Sequence, residues 1–294
     1  MGHSLTFGVL ITNYNTWDNT IECVTKIAHF FGTDCKEIVI VDDVSDQKPS
    51  FEFPEMVKIF YNKVNVGYVR SVNVGMKEMT SDVVLLLDSD AMLISNISKQ
   101  ILEQFENEPK LGALGFQLVD KKGLNTGCWE NEPNFWSLVL GQKLYEKFYK
   151  TVNRNAHFIV YSCAIAIRRA CFVELDGFDE NFDFLDGDAD FTMRVNRSSW
   201  KLKRLDHVKI YHEGGGSPQK TSKRVLRYYV NRYRLLQKHG LLFSRFLVKN
   251  ATLSRLSLEY ILLYLAGRFV YDSVVFQDKL KGRKEVIAYV YASY

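Results

Sequence analysis

The chain of 294 residues has no Cys-x-x-Cys pair, few prolines and no apolar run long enough to cross a bilayer. Its cysteines, Cys23, Cys35, Cys128, Cys163 and Cys171, are odd in number and scattered. That pattern excludes a disulfide framework and a cysteine zinc site and fits reduced thiols in the cytoplasm. No signal-peptide pattern is present at Met1. The most apolar late stretch, Tyr260–Ala266, is closed in by Glu259 and Arg268, well short of the roughly 20 residues of a spanning helix. Net charge is slight: 38 basic against 34 acidic residues leave +4, so no nucleic-acid partner is expected. Two phosphate cradles are also missing. There is no G-x-G-x-x-G after the first strand and no G-x-x-x-x-G-K-[ST] anywhere. If this chain binds phosphates, a metal has to help hold them.

What is present is a run of strands that stop at acids. Val83–Leu87 is five apolar residues leading into Asp88-Ser89-Asp90. The run does not alternate, so it reads as a strand buried on both faces. Its carboxyl end is where open α/β sheets bind ligands. Two close carboxylates repel unless a cation lies between them. A lone D-x-D is more often a solvated turn, so its weight depends on the rest of the chain.

Leu5–Thr12 is a strand candidate ending in Asn13-Tyr14-Asn15, turn formers with hydrogen-bonding side chains. A helix follows, capped by Thr16 or Asp18 and ended by Gly32. Glu37–Val41 is a second buried strand and stops at Asp42-Asp43. A short strand over Val57–Tyr61, a loop over Asn62–Tyr68 and a helix to Met79 come next. That helix holds Asn73 and Gly75, poor choices for a purely structural helix. The βαββαβ order is that of a nucleotide-binding half of a doubly wound sheet.

Further on, Leu111–Val119 and His157–Ile167 read as strands, the latter as one long one. Trp136–Tyr149 reads as a helix or an aromatic loop. Four acids crowd Asp183–Asp190 at the start of a helix, where the macrodipole favours them in any case. Leu202–Tyr211 is a strand that ends at His212, before Gly214–Gly216. Those glycines are expected to form a lid. Thr221–His239 is an amphipathic helix with Lys223, Arg224, Arg227, Arg232, Arg234 and Lys238. It reads either as a helix packed on the catalytic domain with a solvated basic face or as a site of peripheral membrane contact. The tail beyond it looks helical.

These motifs, taken in order, resemble the family 2 inverting glycosyltransferases of the GT-A fold, most closely the rhamnosyltransferase-like branch. The likeness covers roughly Leu5–Leu236. It rests on Ile11–Asn15, Val41–Asp46, Asn65–Tyr68 with Asn73–Gly75, Leu87–Asp90, Gly177–Glu180, Asp188–Asp190 with Arg194, and His212 with Ser217. The fold it implies is an α/β, mixed but mostly parallel central sheet flanked by helices. Residues 1–220 would form the catalytic domain, and 221–294 a helical extension packed on it.

The resemblance also implies roles. Thr12, Asn13 and Tyr14 line the nucleotide pocket, and Asp42 or Asp43 meets the pyrimidine edge. Asn65, Gly67 and Arg70 border base and ribose, with Asp88 and Ser89 on the donor. Asp90 and His212 are the implied ligands of Mn²⁺ or Mg²⁺. Asp188 stands at the position of the catalytic base, and Trp129, Trp136 and Asp186 are assigned to the acceptor or sugar site. The implied reaction moves a sugar from a nucleotide diphosphate sugar, UDP or dTDP before GDP, to a saccharide or lipid-linked acceptor in surface polysaccharide or glycoconjugate synthesis. The cysteine pattern places the protein in the cytoplasm, and the basic helix leaves open a peripheral position at the inner face of the membrane.

The chain departs from the pattern at Gly187, where the family has Glu before the base, which leaves Asp186 as an alternative carboxylate. It departs again at Ser162-Cys163, where the family often has Gly. The rival readings are a non-catalytic nucleotide-sugar binding homologue and a sugar-phosphate nucleotidyltransferase. The second needs a basic glycine-rich loop where Asn13-Tyr14-Asn15 stands.

Overall fold

The structure is a computed structural model and describes residues 4–127, 129–149, 157–183, 185–212, 221–267 and 274–294. The expected lid, Gly214–Gly216, lies outside them, as does Ser217. The chain divides into two compact units, residues 1–130 with 157–216 and residues 131–156 with 217–294.

The first unit opens with β1 (Phe7–Asn13), α1 (Trp17–Phe31), β2 (Glu37–Asp42), β3 (Val57–Tyr61), α2 (Tyr68–Glu78) and β4 (Val83–Asp88). It continues with β5 (Ala91–Leu93), α3 (Ser98–Asn107), β6 (Leu111–Val119) and the start of β7 (Trp129–Asn131), whose last residue is assigned to the second unit. In the second unit α4 (Trp136–Leu140) and α5 (Gln142–Tyr149) follow. The first unit closes with β8 (Phe158–Val160), β9 (Ala164–Arg168), α6 (Arg169–Glu174), α7 (Gly187–Asn196) and β10 (Lys201–His212). The second unit ends with α8 (Thr221–Lys238), α9 (Arg245–Gly267) and α10 (Val274–Ser293).

Eight strands form one sheet in the order β3-β2-β1-β4-β9-β6-β10-β5. Pairings are parallel from β3 to β4 and between β6 and β10, and antiparallel where β9 meets β4 and β6 and where β5 meets β10. The mixed, mostly parallel sheet is therefore the expected one. Val84, Leu85, Leu86 and Leu87 of β4 are wholly buried, together with Val9, Leu10 and Ile11 of β1 and Ile38, Val39 and Ile40 of β2. This is the burial on both faces that a non-alternating run demands. Helix α2 lies so close on the sheet that a Cβ at Gly75 would stand 2.2 Å from Leu10 Cδ1. Here glycine is required by contact with β1, which offsets its cost in a helix.

The single strand expected over His157–Ile167 is two. β8 pairs with β7, β9 enters the main sheet between β4 and β6, and Tyr161-Ser162-Cys163 turns between them. The apolar run continues through the break, so hydrophobicity alone could not show it.

In the second unit α8 and α10 approach closely at Gly282, where a Cβ would stand 2.8 Å from Ser222 Cα. Ser222 donates to Asp278 at 2.6 Å. Tyr228 donates to the Ser137 carbonyl at 3.0 Å, and Arg255 Nε to that of Val139 at 2.5 Å. Tyr228, Tyr229, Tyr233, Leu235 and Leu236 of α8 are buried, and so is Arg232. Lys223, Arg224, Arg234 and Lys238 remain exposed.

Candidate active site

Parallel register brings the ends of three strands level. Asn13 lies opposite Asp42, and Thr12 opposite Asp88. Asn13 Nδ2 donates to Asp42 Oδ1 at 2.6 Å and to Ser45 Oγ at 3.0 Å. Its Oδ1 accepts from Thr20 at 2.8 Å and Thr16 at 3.0 Å. Asp42 also accepts from the Ser45 hydroxyl at 2.5 Å and from the Ser45 N–H at 3.0 Å. Asp43 accepts from Asn62 Nδ2 and from the N–H groups of Val66 and Gly67, at 2.8–2.9 Å. Asn65 Nδ2 donates to the Asp43 carbonyl at 3.0 Å. Both acids are buried and anchor the loops around them. Between them, Val44 is held at φ 67°, an uncommon conformation for a β-branched residue. Tyr14 projects from this network, about half exposed.

The second cluster stands where β4 ends and β5 begins. Register between β5 and β10 sets His212 opposite Ala91. That places His212 Nε2 3.4 Å from Asp90 Oδ1 and 3.8 Å from Asp88 Oδ2. One donor atom from each of the three lies within 4.8 Å of the others. Asp88 is open toward solvent over about a third of its side chain but ringed by protein elsewhere. Burial pushes its carboxyl up to about 6, with Asp90 and Asp188 adding to the rise and His212 opposing it. The hydrogen bond from His212 holds Asp90 below the ordinary carboxylate value, against the effect of burial. Burial pulls His212 down, but the bond to Asp90 and the two negative charges outweigh it and raise it. Two carboxylates and an imidazole are oxygen and nitrogen donors of the kind that hold a divalent cation. A bound cation would favour the charged form that burial and the neighbouring carboxylates disfavour at Asp88. The residues therefore fit the group.

The third carboxylate is Asp188, in the first turn of α7. Its Oδ2 accepts from the Ser162 N–H at 2.9 Å and the Ser162 hydroxyl at 3.3 Å, and its Oδ1 from the Ala189 N–H at 2.8 Å. Tyr68 in turn donates to Ser162 Oγ at 2.8 Å. Burial raises the Asp188 carboxyl above the ordinary value, although the bonds from Ser162 and Ala189 oppose it. Asp186 precedes α7 in the left-handed conformation at φ 64° and is buried.

Other expected residues are placed as follows. Thr12 and Gly67 are partly buried, and Asn65 is exposed. Ser89 exchanges a hydrogen bond with Thr16 at 2.9 Å. Arg70 pairs with Glu180 at 3.3 Å. Trp129 lies in the first unit, under the Arg204 guanidinium at 3.5 Å. Trp136 lies in the second unit, against Phe135. Asn73 grips the backbone of Phe178 through both amide atoms, at 2.8 and 2.9 Å, which explains a polar residue on a buried helix face. Arg194 is held by Asp190 at 2.8 Å and donates to the Leu175 and Gly177 carbonyls. Sequence reasoning did not foresee Ser162 as a partner of Asp188, or Ser45, Thr16 and Thr20 as the frame of Asn13. Single hydroxyl residues carry no spacing signal.

The model of the family described as "Glycosyl transferase family 2" matches residues 8–173, more than half of the chain. The O-antigen biosynthesis protein RfbC of Myxococcus xanthus is 23% identical over 207 residues, a match covering 66% of this chain and 16% of that protein. The chain thus spans only a small part of that relative's length. Among solved structures, it is similar to the mannosyltransferase PcManGT of Pyrobaculum calidifontis, in complex with GDP-Man and Mn²⁺ (14% identity, TM-score 0.56, covering 97% of this chain and 86% of that one). It is also similar to GalNAc-T7 with UDP, GalNAc and Mn²⁺ (16%, 0.56, 79% and 50%) and to S. aureus TarS 1–349 (16%, 0.53, 97% and 81%). These likenesses identify the architecture as the GT-A fold.

Proposed function

The chain belongs to glycosyl transferase family 2 and is a glycosyltransferase, and we propose that it inverts the anomeric carbon of a nucleotide diphosphate sugar as it transfers the sugar to a hydroxyl. The observation that supports this most is the convergence of Asp88, Asp90 and His212 at one end of the sheet, with Asp188 near enough to raise Asp88.

Asp88, Asp90 and His212 would hold Mn²⁺ or Mg²⁺. A divalent cation there neutralises the charge of a diphosphate leaving group. The remaining work falls to the chain itself. Asp188 accepts the proton of the acceptor hydroxyl as that oxygen bonds to the anomeric carbon and the bond to the diphosphate breaks. Its raised carboxyl makes it a stronger base than an ordinary aspartate, while Ser162 and Ala189 fix its orientation. Asp186, in the turn before α7, would face the sugar or acceptor rather than act as base. Tyr14 offers its exposed ring to the nucleobase, over the frame that Asp42 and Asn13 build.

UDP or dTDP is the expected nucleotide, and the reading covers hexosyl and deoxyhexosyl donors alike. The likeness to an O-antigen biosynthesis protein supports a saccharide or lipid-linked acceptor in surface polysaccharide synthesis. The test is a thermal-shift screen of UDP-, dTDP- and GDP-sugars with and without Mn²⁺, followed by assay of nucleotide release. Stabilisation by a UDP- or dTDP-sugar only with the cation is expected. A response to GDP-sugars alone would overturn the nucleotide preference. Binding with no transfer to any acceptor would return the reading to a non-catalytic homologue.

A further inference from the structure

The last turns of α9 expose an apolar surface that the glycosyl-transfer reading does not use. Leu258, Ile261, Leu262 and Leu265 recur at helical spacing, and each is about half exposed. With Tyr264 and Ala266, also exposed, they cover about 200° of the helix circumference at 100° per residue. Val274 (86% exposed) and Val275, which open α10, add to it. Gly267 and Phe276 touch, so the two helix ends are neighbours. No charged residue stands between Tyr260 and Gly267. An exposed apolar patch of this kind marks an interaction surface.

Charge identifies what the patch meets. Residues 221–294 carry 14 Lys and Arg against four Asp and Glu, whereas residues 1–220 carry 24 against 30. A segment of net charge +10 repels a second copy of itself and attracts an anionic surface. An apolar arc this wide also exceeds the narrow seam that one partner helix covers. Among the described residues no helix is long and apolar enough to cross a membrane. We propose that the α9–α10 end of the second unit inserts shallowly into the surface of an anionic lipid bilayer. The basic helix α8 is the alternative site for membrane contact offered by the sequence, but most of its apolar face is buried. The apolar anchor is therefore assigned to α9 and α10, with exposed cations such as Lys279, Lys281 and Lys284 supplying the attraction.

The experiment is flotation of the full chain with phosphatidylcholine vesicles, with and without phosphatidylglycerol, at low and high salt. The protein is expected to float with the anionic vesicles at low salt and to be released by salt. Ile261→Glu with Leu265→Glu should weaken partitioning roughly ten-fold per residue, with an unchanged melting temperature. A separate Leu262→Trp variant should show blue-shifted emission on anionic vesicles and quenching by brominated lipid tails. Failure to float on anionic vesicles, or equal floating of the double variant, would overturn the proposal. So would a dimer in equilibrium sedimentation that the double variant abolishes, since a second copy would then be the occupant. Vesicle binding is read without donor or acceptor, so its failure leaves the glycosyl-transfer reading untouched, and the reverse also holds.

Discussion

β2 and β4 run parallel in one sheet, each with β1 as a neighbour, and both end in aspartates that meet different surroundings. Asp42 and Asp43 each accept three hydrogen bonds, Asp42 from Asn13 and twice from Ser45, Asp43 from Asn62, Val66 and Gly67. Asp88 and Asp90 share one imidazole, 3.4–3.8 Å away, and crowd each other. The first pair braces two loops, and Oδ2 of each accepts a single bond, from Ser45 and from Gly67. The second pair is an electrostatic problem that a cation solves. Asp188 combines the two conditions, with both oxygens bonded and yet a raised carboxyl.

Substitutions can break this contrast. The largest effect is expected at Asp188→Asn, which should lower kcat by about 1,000-fold while leaving nucleotide affinity intact in calorimetry. Full turnover in that variant would remove the base assignment and turn attention to Asp186. Next, Asp90→Ala should abolish the Mn²⁺ dependence of nucleotide binding, a loss of several kcal/mol at saturating metal. Titrations that look alike with and without Mn²⁺ in the unmodified protein would dissolve the difference between the two pairs.

A pure brace should behave otherwise. Glu37 Oε1, at the opposite end of β2, accepts four bonds from Thr80 and Ser81 at 2.7–2.8 Å. Burial would raise its carboxyl, but those bonds prevail and lower it from the ordinary 4.5. Its contribution is therefore full above the unfolded value and lost as pH falls through the folded one. Glu37→Gln should cost about 2 kcal/mol at neutral pH, with the deficit shrinking in acid and no change in metal response. Denaturant melts across that pH range would show it. The smallest effect is expected at Ser162→Gly. The backbone N–H to Asp188 survives and only the hydroxyl is lost, so kcat should fall about ten-fold with KM unchanged. Since that hydroxyl lowers the Asp188 carboxyl, the acid limb of the rate profile should move to higher pH. Ser162→Thr should restore both, and an unmoved profile would make Ser162 a packing residue only.

The sequence was readable where burial and chemistry coincide. β4 could be found because Val83–Leu87 is apolar on both faces and stops at an acid. Asn73 and Gly75 stood out because a helix tolerates them poorly without reason, and the structure supplies the reasons in Phe178 and Leu10. β5 is only Ala91–Leu93, too short for any period to show, yet its pairing with β10 brings His212 to the acids. The break at Ser162 was hidden because β8 and β9 are equally apolar and differ only in the strands they join. The apolar end of α9 read as ordinary helix, since a period shows which side chains share a face but not whether anything covers them.

That pairing of β10 with β5 also sets an order in time. Asp88 and Asp90 leave the ribosome more than a hundred residues before His212. β10 then has to slot between β6 and β5 before the imidazole arrives. A growing chain therefore carries two mutually repelling acids and only an incomplete cation trap. On the proposed reading, the three donors would stand together only once β10 has joined the sheet, so the grip on a leaving group would come late, with the finished fold.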